Sequence, residues 1–275
     1  MNIFMRFPGG KAKAFTLSYD DGVRQDKRLA EIFNKNGLKC TFNINTAIYD
    51  APSAENPNKG RMSLEEMLPT YEGHEVAVHT LTHPFLEKLP LALVTREVLD
   101  DRSNIEKNFG QIARGMAYPY GTYNDGVVDC LAACGIVYSR TVRATHKFGI
   151  PEDWLRLDPT CHHADPDLPA LTDTFLGKHN GRAPWLFYLW GHSYEFDFGK
   201  ERNNWEHAED FCARLGGQPD VWYATNIEVY DYVQAYRSLV FSADAKTVYN
   251  PSATEVFFAC GAGTVSVKPG ETVHI

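Results

Sequence analysis

Short apolar runs alternate with longer amphipathic stretches through most of the chain. AFTLSY (14–19), EVAVH (75–79) and WLFYLW (185–190) have the length and the β-branched or aromatic content of buried strands. Shorter strands are expected at 40–44, 116–118, 136–140, 155–157 and 221–224. Helical periodicity covers 27–36, 91–109, 124–134, 204–215 and 227–239, and Gly37, Gly110 and Gly135 supply stop signals. Ser63-Leu-Glu-Glu66 is a capping box opening a further short helix. Such a series makes seven or eight β-then-α units, whose natural packing is a parallel sheet with right-handed helical crossovers. The expected fold is therefore α/β, a distorted (β/α) barrel of seven or eight strands. An open doubly wound sheet is the alternative, but the sequence holds no GxGxxG or GxxxxGK[ST] phosphate loop. From about residue 240 the character changes to Thr, Val and Phe runs broken by NPS, GAG and KPGE turns. The expected organisation is a barrel over 1–239 and a small C-terminal β appendage over 240–275, packed on the barrel.

Composition narrows the choice of partner. Of 275 residues, 27 are Lys or Arg and 35 Asp or Glu, a formal net charge of −8. That balance argues against a nucleic-acid or anionic-membrane surface, both of which need excess cations. No run reaches the ~18 apolar residues of a membrane span. The first 21 residues contain no apolar signal-peptide core, so a cytoplasmic location is expected, or a secreted one if the sequence is truncated. Six cysteines are scattered without a CxxC pair, which points to neither a zinc ribbon nor a disulfide scaffold. The sequence carries no signal for oligomeric state.

In a parallel barrel, chemistry gathers where strands end. Four predicted strands run into polar residues: Asp20-Asp21-Gly22, His79 to His83, Pro119-Tyr120-Gly121 and Gly191-His192-Ser193. His79 and His83 are four apart, and one helical turn would place both rings on one side. Pro84 limits the helix to a single turn. Each feature alone has a commoner reading: Asp-Asp-Gly is a turn tripeptide, and a loop histidine is usually satisfied. Together, two His and Asp21 make a three-ligand metal set with room for water or substrate. Asp20 and Asp21 are neighbours and would point apart in an extended strand end. One would serve as ligand and the other as a free general base, with His192 as the complementary acid.

Tyr-Asp-Asp-Gly (19–22), HTLTHP (79–84), YPYG (118–121) and LWGH (189–192) resemble the ordered motifs of the polysaccharide deacetylases, the NodB-like carbohydrate esterases. The resemblance runs from about Phe15 to Tyr236. It implies a hydrolase with one divalent metal, usually zinc, held by Asp21, His79 and His83. Asp20 would be the catalytic base, the Tyr120 backbone N–H an oxyanion donor, and His192 the catalytic acid. Water activated by the metal would attack the acyl carbonyl of an acetylated carbohydrate, an N-acetyl group being favoured. The family's third motif usually carries Arg two residues before the Pro, where this chain has Ala117; Arg156 is the candidate substitute, with a surface ion pair as an equal alternative reading. The fourth motif is echoed only loosely by Asp153-Trp154. Trp190 is a candidate wall of the acyl pocket, with barrel core as the plainer reading. His162-His163 could touch substrate, with a solvated loop as the plainer reading, and Tyr194, Glu195 and Asp197 could shape the cleft but receive no catalytic role. Two alternatives use the same residues: a sugar-binding protein with a degenerate site, and a non-haem iron oxygenase, although that chemistry usually sits on an all-β jelly roll.

Overall fold

In the computed structural model, which describes residues 2–48, 60–261 and 263–275, a short strand β1 (Ile3–Arg6) precedes the barrel. The barrel then runs β2 (Lys13–Asp20), α1 (Asp26–Lys35), β3 (Cys40–Ile44), α2 (Leu64–Thr70), β4 (Glu75–Val78), α3 (Leu91–Phe109), β5 (Gly115–Ala117), α4 (Asp125–Ala133) and β6 (Tyr138–Arg140). It continues with β7 (Cys161–His162), α5 (Leu168–Leu176), β8 (Trp185–Gly191), α6 (Trp205–Leu215), β9 (Val221–Tyr223) and α7 (Asn226–Arg237). Five short strands follow: β10 (Val240–Phe241), β11 (Thr247–Tyr249), β12 (Val256–Cys260), β13 (Gly263–Val267) and β14 (Thr272–His274).

The parallel strands are ordered β6-β5-β4-β3-β2-β8-β7, with β9 beside the first half of β2. The expected barrel is thus a curled parallel sheet whose outer strands do not pair. The chain between them spans the opening: Leu157 bridges Arg140 on one side, and the Thr160 N–H donates to the Tyr188 carbonyl on the other.

Strict alternation builds this sheet. In β2, Phe15, Leu17 and Tyr19 enter the main apolar core with Leu29 and Phe33 of α1. Thr16, Ser18 and Asp20 instead bond to Asn226, Asn43 and Arg140. In β3, Cys40, Phe42 and Ile44 join the core while Thr41 and Asn43 bond to Glu75 and Asp20. Burying each Phe of that layer contributes about 2 kcal/mol. The inner face is therefore polar and cross-linked by hydrogen bonds along these positions, and it leads to the carboxylate at the end of β2.

Local signals set the helix ends. Ser63 and Glu66 form the reciprocal capping box, and Thr225 and Glu228 form a second one on α7. Asn124 and Asn204 cap α4 and α6 through their side chains. One expectation fails and one helix is missed. The segment expected as a strand at 155–157 is a 3-10 turn, Trp154–Arg156, because the Asp153 side chain accepts from the Leu155 and Arg156 N–H groups and curls it. Helix α5 escapes the sequence reading because Pro166 and Pro169 resemble loop punctuation; Pro169 sits in the first turn, where a missing N–H costs least.

The C-terminal strands form two small antiparallel sheets, β1-β12-β13 and β10-β11-β14. The first strand of the chain thus belongs to the C-terminal module, with Ile3 opposite Cys260. Ala235, Leu239, Val248, Val256, Phe258 and Val267 make their own apolar cluster. The Tyr232 hydroxyl of α7 donates to Arg6 O (2.6 Å) and accepts from the Phe257 N–H (3.0 Å), pinning both segments to the barrel. Among the described residues no helix is long and apolar enough to cross a membrane.

Candidate active site

The C-terminal ends of β2, β4, β5, β6 and β8 converge. Asp20 ends β2, and Asp21 follows with φ 86°, a left-handed turn that Gly22 continues at φ 64°. This turn overturns the expectation that the two carboxylates point apart: His79 Nε2 lies 4.0 Å from Asp20 Oδ2 and 3.8 Å from Asp21 Oδ1. The expected helical turn at 79–83 is also absent. Thr80 and His83 have φ of 69° and 56°, and the Asn45 amide donates to the Thr80 carbonyl at 2.9 Å to hold the bend. The two rings still meet, with centroids 4.8 Å apart.

Asp21 Oδ1 lies 3.7 Å from His83 Nε2, so Asp21, His79 and His83 present three donor atoms to one point in space. Metal–ligand bonds of about 2.0–2.2 Å allow such a spacing around a single ion. The tautomer fits too. His79 Nδ1 lies 2.8 Å from the Ala117 carbonyl, which can only accept, so Nδ1 carries the proton and Nε2 offers its lone pair. Burial lowers the pKa of both rings, His83 to about 4 with the neighbouring His79 adding to the effect, so both stay in the neutral, ligating form. Arg61 donates to Asp21 Oδ1 at 3.0 Å, and Asp101 of α3 accepts the His79 backbone N–H at 3.1 Å. Together they fix two of the donors.

Asp20 is buried and keeps its charge. Its Oδ2 pairs with Arg140 at the end of β6, and its Oδ1 accepts from Asn43 Nδ2 at 2.8 Å. Burial alone would raise its pKa, but the charge of Arg140, then those of His79 and His192, bring it down to about 2. The Arg140 guanidinium is itself fully buried and lies 4.3 Å from the centroid of the Trp190 ring.

His192, just past β8, places Nε2 3.9 Å from Asp20 Oδ2 and Nδ1 3.2 Å from Glu195 Oε1. Burial works against a charge on His192, yet the Glu195 contact and the charges of Asp20 and Asp21 raise its pKa. A carboxylate held ionised and an imidazole biased toward its cation therefore face each other beside three metal donors. That arrangement can take a proton from water on one side and return one to a leaving group on the other.

A family model described as polysaccharide deacetylase matches residues 8–139. A chitooligosaccharide deacetylase of Sinorhizobium fredii is 32% identical over 173 residues, covering 62% of this chain and 69% of that one. The chain belongs to the polysaccharide deacetylase family. Two solved structures support the fold alone. A Mycobacterium smegmatis protein assigned as a polysaccharide deacetylase has TM-score 0.56 and 15% identity, over 86% of this chain and 96% of that one. A variant of the peptidoglycan deacetylase PdaC from Bacillus subtilis has TM-score 0.50 and 17% identity, over 84% and 95%.

For a polysaccharide deacetylase, the departure at Ala117 now has a physical account. Ala117 and Arg140 are register partners across β5 and β6, so the small side chain leaves space beside the strand that delivers the arginine. Arg156, the expected substitute, is not at the site. It lies on the 3-10 turn, half-buried and paired with Asp125 at 2.7 Å and Asp153 at 2.8 Å. Trp154 packs edge-on against Tyr230, 5.2 Å between centroids, in the cluster below the opening. Tyr120 is at the rim, with φ 58° and its ring stacked on Phe85 at 3.9 Å. Trp190 sits between Arg140 and His192, whose ring centroid is 5.6 Å away, so it borders the site. His162 and His163 are not a solvated loop: His163 is fully buried, and both rings approach Glu195.

Arg140, Asn43, Asp101 and Glu195 escaped the sequence reading as site residues. Arg140 closes a predicted strand at the same barrel end as the motifs, and Glu195 follows His192 by three residues; those were the available signals.

Proposed function

We propose that this chain is a metal-dependent deacetylase that hydrolyses an acetyl group, N-acetyl in preference to O-acetyl, from a carbohydrate. The observation that supports it most directly is the 3.9 Å approach of Asp20 and His192, of opposite charge preference, beside the donors Asp21, His79 and His83. The similarity to a chitooligosaccharide deacetylase points the substrate class the same way.

Asp21, His79 and His83 would hold one divalent ion; two imidazoles and a carboxylate suit zinc. When bound, such an ion polarises an acyl oxygen and makes a neighbouring water more acidic. Asp20 accepts the proton of that water as its oxygen bonds to the acetyl carbon. The Tyr120 N–H donates to the developing oxyanion. The C–N bond then breaks as His192 gives its proton to the sugar nitrogen, leaving acetate and a free amine. An amine needs this proton more than an alcohol does, which is why a raised His192 pKa favours an amide substrate. Trp190 would wall the acetyl methyl.

An iron oxygenase would use a similar donor set, but the parallel sheet removes the jelly-roll context. The degenerate sugar-binding reading drew its weight from Ala117, and the Arg140 pair answers that gap.

The test is acetate release from chitooligosaccharides, peptidoglycan fragments and acetylated xylan, with and without a chelator. Asp20→Asn and His192→Ala should keep their zinc and lose turnover by about 10²–10⁴-fold. His79→Ala should lose the ion. Full turnover in the chelated protein, or in Asp20→Asn, would overturn the proposal.

A further inference from the structure

Glu195 stands at the meeting point of three imidazoles. Its Oε1 lies 3.2 Å from His192 Nδ1, and its Oε2 lies 3.0 Å from His162 Nε2 and 3.0 Å from His163 Nε2. Two His and one carboxylate so close could be a second metal site. The tautomers decide against it. The Ala164 backbone N–H donates to His162 Nδ1 at 3.1 Å, so Nδ1 is the unprotonated nitrogen and Nε2 carries the hydrogen. A ring in that state has no lone pair to give at Nε2. His163 reads the same way: Nε2 faces the Asn203 side-chain oxygen at 3.1 Å, while Nδ1 faces the Tyr19 hydroxyl at 3.3 Å. His79 shows the opposite tautomer, with its free lone pair toward Asp21.

We propose that His162, seconded by His163, is a positioning residue that acts through Glu195: both Nε2 atoms stand 3.0 Å from one carboxylate oxygen, as close polar contacts and not aligned hydrogen bonds, and so keep the other oxygen on His192 Nδ1.

This inference rests on His192 being the proton donor of the deacetylase reading. Three features fix the brace. His163 is fully buried, stacked on Tyr19 at 5.7 Å, and its backbone carbonyl accepts from His207 Nε2 at 2.9 Å. Gly191 leaves it room, because a Cβ there would fall 1.9 Å from His163 Nδ1. His162 meets the edge of Trp190 at 4.7 Å, so it is held against the wall of the site. The Glu195 side chain is partly exposed although the oxygen facing the brace is buried.

The charged and titratable groups around the pair are few. His192 faces Asp20 and Asp21 from the end of β2, and Glu195 and Tyr194 from its own turn. Glu195 faces His162 and His163 from the end of β7, and these contacts, with His192, hold its carboxyl well below the usual range against the cost of burial.

The experiment uses the zinc-loaded full chain and four variants: His162→Leu, which removes the N–H; His162→Gln, which keeps one; Glu195→Gln; and His162→Leu with Glu195→Gln. Turnover of a chitooligosaccharide is measured against pH, and the His192 ring is titrated by NMR. His162→Leu should lower kcat roughly threefold to tenfold, the effect of loosening the single hydrogen bond between Glu195 and His192, and move the alkaline limb and the His192 titration to lower pH. His162→Gln should restore most of both. In the Glu195→Gln background the His162→Leu change should add nothing. Equal losses in the two backgrounds, a His162→Gln variant as impaired as His162→Leu, or a second zinc equivalent lost with His162 would each overturn the inference. The NMR titration separates the two readings. A His192 shift that needs Glu195, in a protein that releases no acetate, supports the brace and sinks the deacetylase. Acetate release with an unmoved His192 does the reverse.

Discussion

A buried carboxylate without a counter-charge is one of the costlier things a fold can hold, and Asp20 is held by a single guanidinium 120 positions away. Replacing Arg140 with Met should therefore destabilise the protein by about 3–5 kcal/mol. It should also shift chemistry. The proposed base, Asp20, would work only when ionised, and Arg140, ahead of His79 and His192, brings its pKa down to about 2 against the cost of burial. Without Arg140 that pKa rises, so the acid limb of kcat/KM should move to higher pH. Kinetics across pH and a urea titration check both halves. Stability follows the same sign: the depressed pKa contributes above the ordinary Asp value and is lost as pH falls toward 2. A second substitution, Ala117→Arg in an Arg140→Ala protein, should return part of the activity, since the two positions are register partners. At this scale legibility was uneven. Asp20, Asp21, His79, His83 and His192 stood out because each follows a strand-like run at one barrel end. Arg140 did not, because nothing local to YSR records which carboxylate a distant strand will bring to it.

Among elements, the turn after β8 carries the most constraint per residue. Gly191, His192, Ser193 and Glu195 share it, and Ser193 donates to the buried Asp26 at the start of α1. Gly191→Ala should push the new methyl into His163 and cost about 1–3 kcal/mol, the range for overpacking a filled site. Zinc content should stay near that of the wild type, because Asp21, His79 and His83 lie on other strand ends, whereas kcat should fall; metal analysis beside kinetics tests that split. Most elements were readable from the sequence because caps and periodicity agree: Ser63 with Glu66, Asn124 and Asn204 all mark real helix starts. Where two signals conflict, reading fails. The apolar residues of 155–157 suggested a strand, but the Asp153 cap imposed a turn; the prolines at 166 and 169 masked α5.

For the molecule as a whole, buried acids set an opposite pH trend to the one at Asp20. Burial raises Asp26 to about 7 and Asp101 to about 8. Their ordinary values lie near 4, so between there and the raised values the folded protein holds protons that the unfolded chain has released. Stability then falls as pH rises. Histidines lowered to about 4, such as His83 and His163, push the other way only below the ordinary His range. From pH 7 to 8.5 the acids dominate, at most about 1.4 kcal/mol per pH unit for each group still protonated when folded. Urea midpoints of the metal-free protein should drop across the lower part of that interval, where folded Asp101 is still protonated, and Asp101→Asn should flatten the drop, whereas Asp26→Asn acts mainly below pH 7. The barrel was legible from the alternation of β and α signals, but its open side was not, because strand count alone does not say whether the outer strands meet.

The placement of β1 has a consequence for how the chain is made. A ribosome releases Ile3 long before Cys260, its partner across the ladder. β1 must wait, unpaired, for a strand that follows the whole barrel, while the barrel between them can already assemble. Nascent chains stalled ahead of residue 256 should therefore carry an unpaired β1 that proteases find, and chains released beyond residue 267 should protect it.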